Sequence, residues 1–312
     1  MSAAVDTLDS EYRALTESCG LLDRSERGKL ALTGAEAAEF LQGQVTNDVE
    51  ALRTGQGCYA AFLTPKGKML GDLRVLHLGD ELFLDTERAS LQELFNMIRR
   101  FKLGRDVELH KRTLERGLLS LIGPEARTVS GADGLGPAEH DSAPAVLAGV
   151  PVQLVATDVG VDVICEAACT AEVAAALDGA VHVSEAAAEI LRVERGRPRY
   201  GLDLDDTVIP QEAGLNDRAV SFSKGCYVGQ ETVARLHYRG KPNRHLRGLR
   251  LGGPVERGEP LRLGEREVGR IGSAVASPVH GPIALALVRR EAAPGDTVAV
   301  GDTTASVVDL PF

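Results

Sequence analysis

Apolar positions recur along this chain with two periods, and the changes between them mark the elements. Leu21 to Leu32 reads as a short strand region, and from Thr33 and Gly34 the spacing turns helical, with Ala37, Phe40 and Leu41 on one face and an end near Gly43. Cys58 to Leu63 is an apolar run suited to a buried strand. Thr64-Pro65-Lys66-Gly67 carries Pro and Gly where a type I turn wants them, and Met69 to Leu78 and Glu81 to Asp85 complete an antiparallel meander. Leu91, Leu94, Phe95 and Ile98 return to helical spacing before a strand over Val107 to His110.

A second α+β unit begins with Leu118 to Ile122, and Pro124 opens a helix at its first turn. Gly131 to Gly149, rich in Gly, Ala and Pro, reads as a mobile loop. Val152 to Val155 and Val161 to Cys165 read as strands and Ala168 to Leu177 as a helix. Ser184 is the N-cap of a last long helix, Glu185 to Arg195, stopped by Gly196 and Pro198. Past a linker at Lys241-Pro242-Asn243, short strands separated by Gly and Pro predict a small β-barrel. The two mixed units point to a duplicated, ferredoxin-like plan without a clean sequence repeat.

Composition narrows the function classes. A chain of 312 residues with 44% hydrophobic content supports several packed domains. A net charge of -10 argues against broad binding to nucleic acid, and no apolar stretch approaches membrane-spanning length. Five scattered cysteines fit a reducing cytoplasm better than a disulfide framework, and Cys165 and Cys169, with no further ligand nearby, read as packing, so no metal site is expected.

Reactive side chains and chain-bending glycines are densest in Ser223-Lys224-Gly225-Cys226-Tyr227-Val228-Gly229-Gln230-Glu231. Gly225 and Gly229 would hold Cys226 on a short exposed loop, and Lys224, Arg235 and His237 would draw its thiol toward thiolate. The alternative is a small buried cysteine between two turns. Arg99, Arg100, Lys102 and Arg105 crowd a helix end, where they serve either as a cap on the helix dipole or as an anion site.

Lys-Gly-Cys-Tyr-Val-Gly-Gln-Glu, with Phe40-Leu41-Gln42-Gly43, Thr46-Asn47-Asp48, Phe62-Leu63-Thr64-Pro65-Lys66-Gly67 and Ile283-Ala284-Leu285-Ala286, resembles the YgfZ-type folate-binding proteins, of the same superfamily as the glycine cleavage T-protein aminomethyltransferases. The resemblance implies an α+β three-domain ring, two ferredoxin-like mixed α/β domains and a C-terminal β-barrel around a central folate channel. Residues 1–50 with 113–240 would form a split folate-binding domain, 51–112 an inserted domain and 241–312 the barrel.

Carried onto this sequence, the resemblance makes Glu194 a pterin partner, the alternative being a surface Glu paired with Arg195 or Arg197. It sets Asp72 at the cavity, where a strand-edge charge beside Arg74 is an equal account. Asn47, Tyr200 and Tyr227 join the folate site, although Asn47 and Asp48 would also suit a self-bonded polar turn. Cys226 and Lys224 are the reactive pair. T-proteins carry an Asp-Asp pair where this chain has Gly71-Asp72, which counts against aminomethyl transfer.

The implied function is binding of tetrahydrofolate, or a one-carbon derivative, in assembly or repair of iron-sulfur clusters and of cluster-dependent enzymes, including those that modify tRNA. Its partners would be iron-sulfur proteins or their assembly machinery, without direct nucleic-acid or membrane contact. A folate-dependent one-carbon transferase and a non-catalytic folate-stabilised scaffold are the rival readings.

Overall fold

The structure, a computed structural model, describes residues 2–312, with side chains from residue 7 onward. The chain runs through α1 (Ser2–Glu17), β1 (Gly20–Asp23), β2 (Gly28–Thr33), α2 (Ala37–Gln42), β3 (Gly57–Leu63), β4 (Met69–His77), β5 (Leu82–Thr86), α3 (Leu91–Phe101) and β6 (Glu108–Lys111). It continues with β7 (Arg116–Ile122), α4 (Ala126–Val129), β8 (Ser142–Leu147), β9 (Val150–Ala156), β10 (Gly160–Glu166), α5 (Thr170–Ala176), β11 (Val181–His182), α6 (Glu185–Glu194), α7 (Asn216–Ala219) and α8 (Gln230–Arg239). The last unit is β12 (Arg244–Leu251), β13 (Pro260–Leu263), β14 (Arg266–Ser277), β15 (Gly281–Arg289), β16 (Thr297–Val300) and β17 (Thr303–Val308), six antiparallel strands closed into a barrel.

The first two units are sheets. One has the order β3-β4-β5-β2-β6, and within it β2-α2-β4-β5-α3-β6 is a β-α-β-β-α-β succession of ferredoxin-like type with β3 added at an edge. The other, β11-β1-β7-β10-β9-β8, carries the same succession as β7-α4-β9-β10-α5-β11, with β8 added at an edge and β1 inserted between β7 and β11, antiparallel to the first and parallel to the second. The expected duplicated plan is therefore visible in both sheets, the second opened by the insertion of β1. The strand region Leu21 to Leu32 is two strands that part into different sheets, so residues 28–42, grouped above with the first domain, build the sheet of 51–112.

Alternation along the strands sets the layers. Leu73, Val75 and Leu84 enter a core beneath α2 and α3, while Leu76 and Phe83 face the other sheet and pack on Leu118, Val155 and Ile164. The outer face of the second sheet is covered by α4 and α5. The segment 142–147, expected as mobile loop, is the edge strand β8, whose Pro144 sits where no further ladder partner is required. Neither α1 nor α8 was foreseen from the sequence.

Arg74 joins the two inner faces. Its guanidinium bonds Asp85 of β5 at 2.8 Å and Asp162 of β10 at 2.6 Å, all three side chains nearly excluded from water. Arg74→Ala strands two buried carboxylates and is expected to cost about 3–5 kcal/mol in urea unfolding. A loss below about 1 kcal/mol would mean that the bridge does not hold the sheets together.

Candidate functional site

Strand β4 builds the site. Asp72 and Arg74, two residues apart, point to the same face, and pairing puts Tyr59 of β3 opposite Arg74 on one side and Asp85 of β5 on the other. Where this face meets the second sheet and α6, a cavity of about 240 Å³ remains, lined among others by Tyr59, Asp72, Arg74, His140, Asp162 and Arg195. Among the described residues the barrel supplies none of the lining, because it packs behind α6 through Val193, Ile283 and Leu285. The expected channel ringed by three domains is a cavity between two sheets.

Within it Tyr59 Oη donates to Asp72 Oδ2 at 2.7 Å, and the Arg218 guanidinium lies 5.2 Å from the Tyr59 ring centroid. Burial raises the Asp72 carboxyl to about 6, although the Tyr59 hydrogen bond and the Arg27 charge pull it down. Arg195 Nη1 donates to Asp158 O at 3.2 Å and Arg197 Nε to Asp158 Oδ2 at 2.9 Å. Arg192 and Arg199 are tied more tightly, to Asp203 and Glu189 and to Glu87, Glu185 and Glu189.

His140 forms another part of the wall. Its backbone is left-handed, φ 74°, and its N donates to Ala156 O at 2.8 Å. The side chain is 11% exposed and Nε2 stands 3.7 Å from Glu139 Oε1, yet neither ring nitrogen has a hydrogen-bond partner. Burial, then the Arg74 and Arg218 charges, push the imidazole down to about 3, so it is neutral at pH 7.

Of the seven residues expected to form the site, Asp72 alone lines this cavity. Glu194 is turned away from it. Its carboxylate accepts from Tyr12 Oη at 2.9 and 3.1 Å and from Ser277 Oγ at 2.5 Å, pinning α1 and β14 to α6. Asn47 Nδ2 donates to Tyr59 O and Arg218 O, the behaviour of a structural turn residue. Tyr227 is buried, and Tyr200 packs against the same cluster on β3 and β4. Burial raises both phenols to about 12.

Lys224 departs most from expectation. It is buried, and Nζ donates to Gln42 O at 2.6 Å, Val45 O at 2.8 Å and Asn47 O at 2.7 Å. An ammonium has three donors. All three are spent on carbonyls at and beyond the end of α2, so Lys224 clamps the motif loop to that helix end. Cys226 lies exposed on the loop that the glycines predict, with Gly229 at φ 85° as the N-cap of α8. It does not line the cavity, and among the described residues no group of three or more His, Cys, Asp or Glu side chains could hold a metal.

Sequence reasoning passed over Tyr59, Arg27, Arg218 and His140. It also met Arg74 only as a neighbour of Asp72. A usable signal was the lone Arg74 in Leu73-Arg74-Val75-Leu76 and the lone Asp85 after Leu82-Phe83-Leu84, opposite charges embedded in apolar strands. His140 offered none, since it lies in the Gly- and Pro-rich stretch.

Residues 2–132 match the GCVT N-terminal domain and residues 244–312 the glycine cleavage T-protein C-terminal barrel domain. The chain is 28% identical, over 98% of its length and 74% of the relative, to a chloroplastic Arabidopsis thaliana protein provisionally named a transferase. It is 27% identical, over 97% of its length and 89% of the relative, to the aminomethyltransferase of Corynebacterium jeikeium, and 28% identical, over 100% and 93%, to that of Halothermothrix orenii. The fold matches the glycine cleavage system aminomethyltransferase T of Bartonella henselae with a TM-score of 0.87 at 24% identity, over 98% of this chain and 89% of that one. No helix among the described residues is long and apolar enough to cross a membrane.

Lys224 and His140 each generate a prediction. Lys224→Met leaves three carbonyls without their donor. Stability should drop by about 3 kcal/mol, and Cys226 should react faster with a thiol reagent as its loop loosens. Unchanged stability would remove the clamp. For His140 the folded value near 3 lies below the unfolded value of about 6.5, so the unfolded state binds the proton and stability falls as pH drops through that window. Asp72, raised on folding, acts in the opposite sense between about 6 and 3.8. His140→Phe isolates the first effect. Its stability relative to the parent should improve by about 1.4 kcal/mol per pH unit below about 6 in urea titrations, and a flat difference would place His140 in contact with water.

Proposed function

This chain belongs to the glycine cleavage T-protein family, and from that membership we propose that it binds tetrahydrofolate, or a one-carbon derivative, in the cavity between the two sheets. Its role in this reading is that of an accessory protein for assembly or repair of iron-sulfur clusters and cluster-dependent enzymes, including those that modify tRNA. The observation that supports folate binding is the Asp72 and Tyr59 pair in an arginine-lined cavity.

The lining suits a reduced pterin. A carboxylate accepts hydrogen bonds from the N–H and amino edge of an aminopyrimidinone, and Arg195 and Arg197 at the rim suit the glutamyl carboxylates. The volume, about 240 Å³, lies just below the range of about 300–1,000 Å³ usual for small-molecule sites, so it suits the ring system with the tail leading out. When bound, tetrahydrofolate supplies a carrier for one-carbon units. The cluster role rests on the resemblance of the Cys226 motif and on the exposure of its thiol, free to meet a partner protein that brings the remaining ligands.

A second reading, folate-dependent aminomethyl transfer, is favoured by an Asp72 carboxyl near 6, suited to proton transfer near neutral pH. Gly71 opposes it. A Cβ there would stand 2.4 Å from Ser90 Cβ and 2.6 Å from the Phe62 ring, so the second carboxylate of T-proteins has no room. Release of methylenetetrahydrofolate from an aminomethyl-lipoyl donor would establish the transferase.

Calorimetric titration with tetrahydrofolate under reducing conditions tests the first reading. Asp72→Asn should weaken binding by about tenfold or more, or about 1.4 kcal/mol, while Glu194→Gln should lower the Tm and leave the affinity within about twofold. Cys226→Ser should bind normally yet fail to restore cluster-enzyme activity in cells lacking the protein. Full restoration would leave a folate-stabilised scaffold, and absence of binding by the parent protein would remove the folate reading.

A further inference from the structure

Four of the nine buried side-chain polar atoms left without partners among the described residues lie on one wall of the cavity. Both ring nitrogens of His140, Nε of Arg74 and Nε of Arg218 are buried and unpaired, and all three side chains line the same space. Buried polar groups are nearly always satisfied, so a local concentration of orphans calls for a missing partner. The wall is held in place. His140 is fixed in a left-handed backbone conformation against β3, where a Cβ on Gly57 would come within 2.9 Å of His140 Cβ, and Arg74 is locked between two carboxylates.

The chemistry of the wall is one-sided. Its unpaired N–H groups, two guanidinium and one imidazole, are donors, and its carboxylates, Glu139 at 3.7 Å from His140 Nε2 and Asp162, are engaged by Arg218 and Arg74, whereas elsewhere in the cavity Asp72 offers a carboxylate. A heterocycle with a carbonyl oxygen on one edge and N–H groups on another meets both. We propose that His140 is the specificity-determining residue of the cavity, donating from its ring to the carbonyl oxygen of the bound heterocycle while Asp72 takes the N–H edge. This rests on the folate reading above, in which the oxygen is the 4-oxo group of the pterin. Replacing that oxygen by an amino group sets donor against donor, because the carboxylates of that wall, Glu139, Asp85 and Asp162, are already engaged by Arg218, Arg27 and Arg74.

Two ligands and two variants test it. The probes are tetrahydrofolate and its 4-amino analogue, titrated calorimetrically into the full chain, the parent and His140→Phe, with His140→Asn as a variant suited to the left-handed position. The parent should prefer the 4-oxo ligand by about tenfold or more, as sites built to hydrogen-bond a group reject analogues that lack it. His140→Phe should bind tetrahydrofolate about tenfold more weakly, with the preference reduced to about twofold and a Tm at or above that of the parent, because an unpaired buried ring has been removed. Nitrogen-15 spectra of the parent's imidazoles should show one His140 ring nitrogen shifting on addition of tetrahydrofolate, a readout that does not depend on either variant folding. Undiminished affinity and preference in His140→Phe, or a His140 signal that stays put while ligand binds, would overturn the assignment and leave the folate reading standing. A parent protein that binds neither ligand overturns both.

Discussion

The architecture turns on a guanidinium that two sheets share. Arg74 leaves β4 toward the inner face and meets Asp85 on its own sheet and Asp162 on the other, with Ser120 Oγ donating to the second oxygen of Asp162. Burying three charges is expensive unless geometry and hydrogen bonds compensate. Here the geometry is planar and paired, and Arg27 adds a bond to the remaining oxygen of Asp85. The apolar contacts of Leu76 and Phe83 with Leu118, Val155 and Ile164 are non-directional and would tolerate sliding, whereas the guanidinium fork fixes one registry. That registry holds the inner faces apart beside the bridge, and the gap is the cavity.

A second buried cation organises the reactive loop. The Lys224 ammonium gathers the carbonyls of Gln42, Val45 and Asn47, and Thr46 adds a hydroxyl bond to Ala219 O while its own carbonyl accepts from Ser221 N. The loop is thus stitched from Arg218, at the cavity wall, to Lys224, two residues before the exposed thiol. Beyond it the loop rests on the β3–β4 turn. A Cβ on Gly229 would fall 2.6 Å from Thr64 O, and one on Gly67 would fall 2.8 Å from Thr232 Cβ, so both glycines serve close approach as well as their left-handed backbones. Two motifs far apart in sequence are one packed unit.

What could be read from the sequence follows the range of the interactions. Local ones were legible: the helix capped by Ser184, whose side chain accepts from Ala187 N, the β3-β4-β5 meander, and the exposure of Cys226 between its glycines. Partners remote in the chain were not. Glu194 reads as a ligand group because its motif says so, but Tyr12 lies 182 residues away and Ser277 lies 83 away, and neither is visible from the local pattern. Lys224 reads as a free cation because sequence shows side chains and hides the carbonyls that occupy them. Residues 28–33 joined the unexpected sheet because six apolar-rich residues suit either neighbour, and the long-range pairing with β5 and β6 decides.

Cavity and thiol occupy separate parts of the fold. Gly71 is filled from outside by Ser90 and the Phe62 ring, so the strand that offers one carboxylate to the cavity cannot offer a second from the adjoining position. Asp72 has Tyr59 as its side-chain hydrogen-bond partner, and the Glu87 and Arg27 charges act on it in opposite senses. The thiol, meanwhile, is displayed on the outside and reaches the cavity only through the stitched loop. The cavity thus offers one carboxylate from β4, and the thiol stands apart from it on a loop tied down by one buried ammonium.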